Sequence, residues 1–493
     1  MTASGQGGSR PHQRRRPAGP PHRSAQRPSE RSRRADPARQ AAFDTLRAVD
    51  VDDAYANLVL PGLLRARRVA GRDAAFATEL AYGTLRMRGL YDAVLTACVD
   101  RPLASLDAGV LDALRLGAHQ VLGMRVPPHA AVGETVALVR ANLGGGPGAL
   151  TNAVLRKVAG SELGDWVARV APDAGSDLVA HLAVAHSHPA WVVRALREAL
   201  AGHGRPTGAL DDELRALLAA DNAAAGVTLV ARPGLATVGE LVAAGAVPGR
   251  WSPTAARLTS GDPGSLRAVR EGRAGVQDEG SQLVALALAA APVHPGPDRS
   301  LPERWLDLCA GPGGKSGLLG AVVRQRGGRL VAVEQAPHRA DLVRTAVSAL
   351  GDAVEVRCAD GREVGRSEPE AYDRVLVDAP CTGLGALRRR PESRWRRQPA
   401  DVAALAPLQR ELLGSGIDAV RPGGVVAYVT CSPHLAETRL VVDDIVRRRG
   451  DVEVLDARPL LAGVPDLGDG PTVQLWPHRH DTDAMFLALL RRR

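Results

Sequence analysis

This sequence has almost no lysine. Of its 63 Lys and Arg residues only two are lysine, Lys157 and Lys315. Aromatic residues are also scarce, at 3%. Any core must therefore be filled by aliphatic side chains and alanine, which the 45% hydrophobic content can supply. No apolar run reaches the roughly 18 residues of a membrane-crossing helix, so no membrane partner is expected. The Arg-rich N-terminus has no apolar segment behind it and does not read as a secretory signal, although a transit peptide shares that composition. Cysteine is sparse and odd in number: Cys98, Cys309, Cys358, Cys381 and Cys431. That argues against a disulfide framework. No Cys-x-x-Cys or His/Cys pair has zinc-site spacing, so no metal is expected.

A length of 493 residues suggests about three domains. Charge is unevenly spread. Residues 1–35 hold nine Arg and one Glu, a net of +8, and the whole chain carries +9, so the rest nets about +1. Residues 1–36 are Arg, Pro, Ser, Gly and Gln and cannot bury enough surface to fold, so they read as a disordered basic tail. Such a tail can neutralise phosphates without reading sequence, or can be a solvated leader with no specific role.

Residues 37–160 read as all-α. Val110, Leu114, Ala118 and Val121 recur on one helical face. Pro127-Pro128 and the run Gly144-Gly145-Gly146-Pro147-Gly148 break the pattern, and Thr151 predicts a helix start before Asn152. Residues 161–276 read as a helical linker and a small α+β region. A helix opens at Ser187-His188-Pro189-Ala190-Trp191, and Gly226–Arg232 alternates like a strand. From 277 to 493 strands alternate with helices. Strands are expected over Arg304–Cys309, Arg329–Glu334, Val354–Cys358, Arg374–Asp378, Gly424–Thr430 and Met485–Leu490. That is the pattern of a doubly wound parallel sheet, which binds ligands at the carboxyl ends of its strands.

Four cysteines stand at or just after such strand ends, a place for chemistry. The first strand runs into Asp307-Leu308-Cys309-Ala310-Gly311-Pro312-Gly313-Gly314-Lys315-Ser316. Glycines there let the backbone approach a ligand, and the following helix offers free N–H groups. The P-loop spacing is absent. Glu334 ends the next strand, 20 residues after Gly314, a spacing that suits a carboxylate on ribose hydroxyls. A Gly-rich turn also occurs in ordinary β–α connections. The residues alone leave dinucleotide and S-adenosylmethionine binding both open. Asp360, after the third strand, can accept from an adenine amino group, although Asp-Gly also makes a plain turn. The fourth strand ends in Asp378-Ala379-Pro380-Cys381-Thr382-Gly383-Leu384-Gly385, the fifth in Thr430-Cys431-Ser432-Pro433. A lone buried cysteine is most often an inert small hydrophobe. Two on adjacent strand ends call for more.

Taken together, Gly311–Lys315, Asp378–Cys381 and Thr430–Ser432 resemble the bacterial RsmB (Sun, Fmu) type of RNA cytosine-C5 methyltransferase. Gln277-Asp278-Glu279-Gly280-Ser281-Gln282 is similar to the segment before that family's cofactor loop. Arg388–Trp395 resembles its basic loop after the Pro-Cys motif. Phe76–Gly83 and Thr151–Lys157 resemble the NusB-like RNA-binding fold, which points to the RsmB branch. The resemblance implies an all-α NusB-like N-terminal domain, a small α+β middle region and a C-terminal α/β Rossmann-like methyltransferase domain.

It also implies S-adenosylmethionine as cofactor and 16S rRNA as partner, with cytosine 967 as target. The protein would be cytoplasmic and monomeric. Cys309, Ala310, Gly311, Pro312, Gly313, Gly314 and Lys315 would wrap the methionine part of the cofactor, Glu334 would hold the ribose and Asp360 the adenine. Asp378 would lie beside cofactor and base, Cys431 would be the nucleophile, and Cys381 would help release the product. The sequence departs from the family's Ala-Pro-Gly-Gly-Lys at Gly311, from its Pro-Cys-Ser-Gly-Thr-Gly at Thr382 and Leu384, and from its Asp-Gly-Phe-Phe at Ala484-Met485. Two other readings compete: a methyltransferase for tRNA or another RNA, and a non-catalytic NusB-like RNA-binding factor. Uracil and DNA methyltransferases usually carry one catalytic cysteine, so Cys431 beside Cys381 speaks against them.

Overall fold

The computed structural model describes residues 35–295 and 301–493. All but the last two residues of the expected basic tail lie outside the described residues. Seven helices come first: α1 (Pro37–Val51), α2 (Ala56–Ala66), α3 (Gly71–Arg86), α4 (Arg88–Cys98), α5 (Ala108–Leu122), α6 (Pro128–Leu143) and α7 (Pro147–Val158). Asp36 and Asp107 cap α1 and α5, accepting from Arg39 N (2.9 Å) and Val110 N (3.1 Å). Helix α5 is buried on two sides. Val110, Leu114 and Ala118 enter one cluster with α4 and α7, and Ala113 and Leu116 enter another with α1 and α3. The helix start expected at Thr151 lies instead at Pro147. Proline suits a first helical turn because its missing N–H would have no partner there. Thr151 sits inside the helix and donates back to the Pro147 carbonyl (3.0 Å).

Four more helices follow: α8 (Leu163–Val170), α9 (Leu178–Ala185), α10 (Ala190–Gly202) and α11 (Leu210–Asn222). Helices α9 to α11 belong to a core other than that of the small sheet that comes next. They share a core with Leu384, Leu387, Trp476 and Ala484 from the C-terminal region. The small sheet holds β1 (Val227–Ala231), β2 (Ala246–Pro248), β3 (Ala255–Leu258) and β4 (Ala274–Val276), all antiparallel, in the order β2-β3-β1-β4.

The large sheet contains β5 (Arg304–Asp307), β6 (Arg329–Glu334), β7 (Val354–Cys358), β8 (Tyr372–Asp378), β9 (Val420–Thr430), β10 (Val452–Leu455), β11 (Val473–Gln474) and β12 (Phe486–Arg492). Its order is β7-β6-β5-β8-β9-β12-β10, with β11 on β12. Strands β5 to β9 are parallel, but β12 runs antiparallel to β9. The purely parallel sheet expected from the sequence is therefore mixed. No long crossover helix joins β10 to β12, and a parallel return needs one.

Side chains alternate across this sheet. Val425, Ala427, Val429, Leu487 and Leu489 face the helices Glu279–Ala290 and Gly314–Gln325. Val426, Tyr428, Phe486, Ala488 and Leu490 face Pro399–Ala419 and Arg439–Arg448. Both faces are covered, so β12 reads in sequence as an unbroken apolar run. Among the described residues, no helix is long and apolar enough to cross a membrane.

Candidate active site

Parallel pairing brings the carboxyl ends of β5 to β9 to one edge of the large sheet. Chain order reverses between β5 and its neighbours β6 and β8, which opens a crevice there. The candidate cofactor and catalytic residues, Cys309 to Lys315, Glu334, Asp360, Asp378, Cys381 and Cys431, stand on the loops at or just after these strand ends.

Asp307 ends β5 and is fully buried. Its carboxyl accepts from Ser316 Oγ (2.7 Å) and Cys309 N (3.3 Å), tying both ends of the Gly-rich loop to the strand. Burial, with a smaller push from Asp378, raises its pKa to about 7. Gly313 adopts a φ of +103° at the start of the helix Gly314–Gln325 and lies against Ala346 and Val343, where a side chain would collide. Ala310 N donates to the Val333 carbonyl (2.9 Å), and Gly311 N donates to Glu334 Oε2 (3.1 Å). Glu334 also accepts from Ala336 N (3.0 Å) and pairs with Arg339 (3.4 Å). The family's alanine at position 311 would place its methyl 2.2 Å from Glu334 Oε2 as it stands. Asp360 is half-buried after β7, where it caps a 3₁₀ turn and pairs with Arg362 (2.6 Å). Burial first, then the charges of Asp307, Asp378 and Glu334, hold the Cys309 thiol well above its usual range, so it stays protonated.

Lys315 reaches across the crevice to Asp378 at the end of β8, Nζ to Oδ2 2.7 Å. Burial would lower the Lys315 pKa, but Asp378 and Cys431 outweigh it and the shift is upward. The side chain is a fixed cation. Beyond this pair, Cys381 Sγ and Cys431 Sγ lie 3.5 Å apart. The hydrogen bond between the two sulfurs pushes the Cys431 pKa down and the Cys381 pKa up. Gly385 makes this possible: a Cβ there would sit 2.3 Å from the Ala484 carbonyl and 2.8 Å from that of Cys431. Gly385 N donates to Cys431 O (2.9 Å) and its carbonyl accepts from Ala484 N (2.8 Å), so the loop is stitched to β9 and to the approach to β12.

A profile described as 16S rRNA methyltransferase RsmB/F matches residues 298–491, and a NusB family profile matches residues 36–160. Ribosomal RNA small subunit methyltransferase B of Vibrio cholerae is 30% identical, covering 91% of this chain and 96% of its own length. Rv1407 of Mycobacterium tuberculosis, which its name places among methyltransferases, is 56% identical over 94% of this chain and 98% of its own length. The chain belongs to the RsmB/F family of rRNA methyltransferases. The crystal structure of PH0851 has the same fold, at a TM-score of 0.75 and 22% identity, covering 93% of this chain and all of that one. The N-terminal helices are the family's NusB domain, the large sheet belongs to its methyltransferase domain, and RNA is the substrate class.

One group of the site, Glu437, escaped the sequence reading, and the acids Asp278, Asp481 and Asp483 have partners it did not give them. Glu437, in the turn after Cys431, is fully buried and hydrogen-bonded to both cysteine loops. Only its place in a short His434-Leu435-Ala436 stretch marks it in the sequence. Asp278 and Asp483 are brought together from opposite ends of the domain by Arg389, at 2.6 and 3.0 Å. Arg388 reaches Asp481 (2.7 Å). Two cations of the expected basic loop are thus neutralised by acids from the same chain.

Proposed function

We propose that the protein transfers a methyl group from S-adenosylmethionine to C5 of a cytosine in 16S rRNA, cytosine 967 in the family's target numbering, through a bond between Cys431 and C6. The observation that carries this reading is the pair of thiols 3.5 Å apart beside the Lys315–Asp378 ion pair.

The residues at the β5–β6 edge suit the cofactor. Gln277 Oε1 is buried without a partner, and its side chain lies beside Gly314 at the helix N-terminus. Gly311 to Gly314 allow a close backbone approach, and the N–H groups of Gly314 and Lys315 open the helix with no intrahelical partner. Glu334 would take the ribose hydroxyls and Asp360 the adenine. Bound S-adenosylmethionine supplies a methyl group on a sulfonium.

The protein's own groups do the rest. C5 of cytosine is a poor nucleophile. Addition of the Cys431 thiolate to C6 makes C5 the nucleophilic carbon of an enamine, and so divides one hard step into two easier ones. Asp378, held in place by Lys315, would hydrogen-bond N3 where it keeps a proton in the complex with the base, and so stabilise charge as the adduct forms. Once C5 is methylated its proton passes to water, the C–H electron pair reforms the C5–C6 double bond, and the C6–S bond breaks with Cys431 leaving as the thiolate, a departure that Cys381, whose sulfur lies 3.5 Å from that of Cys431 in the free protein, assists. The base must be unpaired or flipped to reach these groups. In this reading residues 37–160 bind RNA, 161–276 connect, 277–493 hold the chemistry, and the chain acts as a monomer.

Bisulfite mapping of 16S rRNA after incubation with the protein and S-adenosylmethionine tests the proposal. One protected cytosine, absent with Cys431→Ala, is the expected result. No protected cytosine in 16S rRNA but one in tRNA would replace the substrate and keep the chemistry. Binding of rRNA without binding of S-adenosylmethionine would favour the non-catalytic factor.

A further inference from the structure

The two thiols are chemically alike, close together and both largely enclosed, so something in the fold must decide which one is ionised. Glu437 is placed to do so. It ends the 3₁₀ turn Leu435–Glu437 and has no exposed surface. Its Oε1 accepts from Thr382 N (2.8 Å) and Gln409 Nε2 (3.4 Å), and its Oε2 accepts from Thr382 Oγ1 (2.5 Å) and Ser432 Oγ (2.6 Å). Thr382 directly follows Cys381, and Ser432 directly follows Cys431. One carboxylate therefore clamps both cysteine loops. Gln409 also holds the Pro380 carbonyl (2.9 Å), and Tyr428 OH donates to the Glu437 carbonyl (2.8 Å), so the clamp is itself fixed.

The charges around the two sulfurs differ. Cys431 faces Lys315 from the helix Gly314–Gln325, Asp378 from β8 and Asp483 from the approach to β12. Asp378 is neutralised by Lys315 and Asp483 by Arg389. Cys381 faces Glu437 and, from β9, Tyr428. All four donors to Glu437 are neutral, and His434 on its own turn has a pKa lowered by burial. A carboxylate with no cation among its hydrogen-bond donors thus stands on the Cys381 side.

We propose that Glu437 is a positioning residue that keeps the proton on Cys381 and leaves Cys431 as the thiolate, by locking the two loops together and holding its charge beside Cys381. This rests on the two-thiol reading above. The raised Cys381 and lowered Cys431 pKa values agree with it: the thiol–thiol hydrogen bond is the largest cause of both, with Glu437 adding to the Cys381 shift.

The test is alkylation of the free full-length protein by iodoacetamide, resolved by site in a mass spectrometer, across pH and without RNA or cofactor. Exposed Cys358 and buried Cys98 are internal references for reagent and fold. In the unmodified protein Cys431 should react about tenfold faster than Cys381 near pH 8. In Glu437→Gln, which keeps the shape, loses the charge and sets a donor NH2 group against the Thr382 and Ser432 hydroxyls, which can turn to accept it, Cys381 should titrate at lower pH and the preference should fall about tenfold, the equivalent of one pKa unit. In Glu437→Asp, which keeps the charge, the preference should stay within about threefold of the original. A faster Cys381 in the unmodified protein would overturn the assignment of the nucleophile itself. A preference for Cys431 that survives Glu437→Gln would overturn the role of Glu437 and leave that assignment standing. An equal loss in Gln and Asp variants would make the carboxylate a spacer and also overturn it. If Glu437→Gln exposes Cys98, the Asp variant alone decides: selectivity kept supports the role, selectivity lost overturns it.

Discussion

At the scale of single residues, the structure separates five cysteines that look alike in composition. Cys98 is buried between α4 and its neighbours, and Cys358 is exposed at the end of β7. Cys309 is surrounded by carboxyl groups that keep it protonated. Only Cys381 and Cys431 meet. With RNA and S-adenosylmethionine present, Cys431→Ala should lose both methylation and the covalent adduct. Cys381→Ala should instead accumulate an adduct that shifts the protein on a denaturing gel. An adduct in the first variant and none in the second would exchange the two roles. Gly385→Ala is expected to be as damaging as a catalytic change. Its methyl would meet two backbone carbonyls that cannot rotate away, so methylation should fall by about 100-fold or more, as a displacement of about 1 Å does in an active site.

At the scale of elements, the loop Ala386–Arg397 is the clearest case of a sequence whose meaning changes on folding. Its arginines resemble a surface for phosphates. In the structure Arg394 is completely buried and donates to the carbonyls of Arg86 (3.3 Å), Ser187 (3.0 Å) and Asp221 (3.1 Å) and to Asn222 Oδ1 (2.7 Å). Trp395 lies over Gly89, and Arg396 holds the carbonyls of Val49 and Ala54. The loop is a bolt between the NusB domain, the helices α10 and α11, and the strand end that carries Cys381. Removing the Arg394 guanidinium leaves four buried acceptors without their donor and takes away the positive charge that faces the Asp221 carboxyl. Arg394→Met should therefore lower stability by about 3–5 kcal/mol, measured by denaturant unfolding. Arg394→Lys should recover little, because an ammonium lacks the planar fork that reaches acceptors on three segments. An exposed, RNA-facing role would predict normal stability for both.

At the scale of the whole molecule, buried carboxyl groups give stability a pH dependence. Asp221 lies fully buried under the Arg394 bolt, and burial raises its pKa to about 7, opposed by Arg394 and Arg388. A carboxyl whose pKa is higher folded than unfolded favours the folded state at low pH. That contribution fades as pH rises from about 4 to about 7. Asp221→Asn should flatten this part of a stability–pH curve measured by thermal melting, whereas an unchanged slope would place the dependence elsewhere. The Arg-rich segment acts on a different property. Deleting residues 1–35 should weaken RNA binding more at low salt than at high salt, because counterion release drives such contacts. An equal loss at both salts would exclude that electrostatic role.

The sequence by itself determined the local features: the helices of the NusB domain, strands β5 to β9 to within a few residues at either end, and a set of polar side chains at their ends. Period, turn residues and strand-end motifs are short-range signals, and the alternating βα order makes the strand ends converge. The tertiary structure decided what depends on contacts between distant segments. Strand β12 runs antiparallel because its connection holds no crossover helix. The arginines after Cys381 turn inward because acids and carbonyls up to 347 residues away receive them. Glu437 becomes part of the site because two loops 50 residues apart close around it. Burial and charge compensation belong to neighbourhoods in space, and no window of sequence contains them.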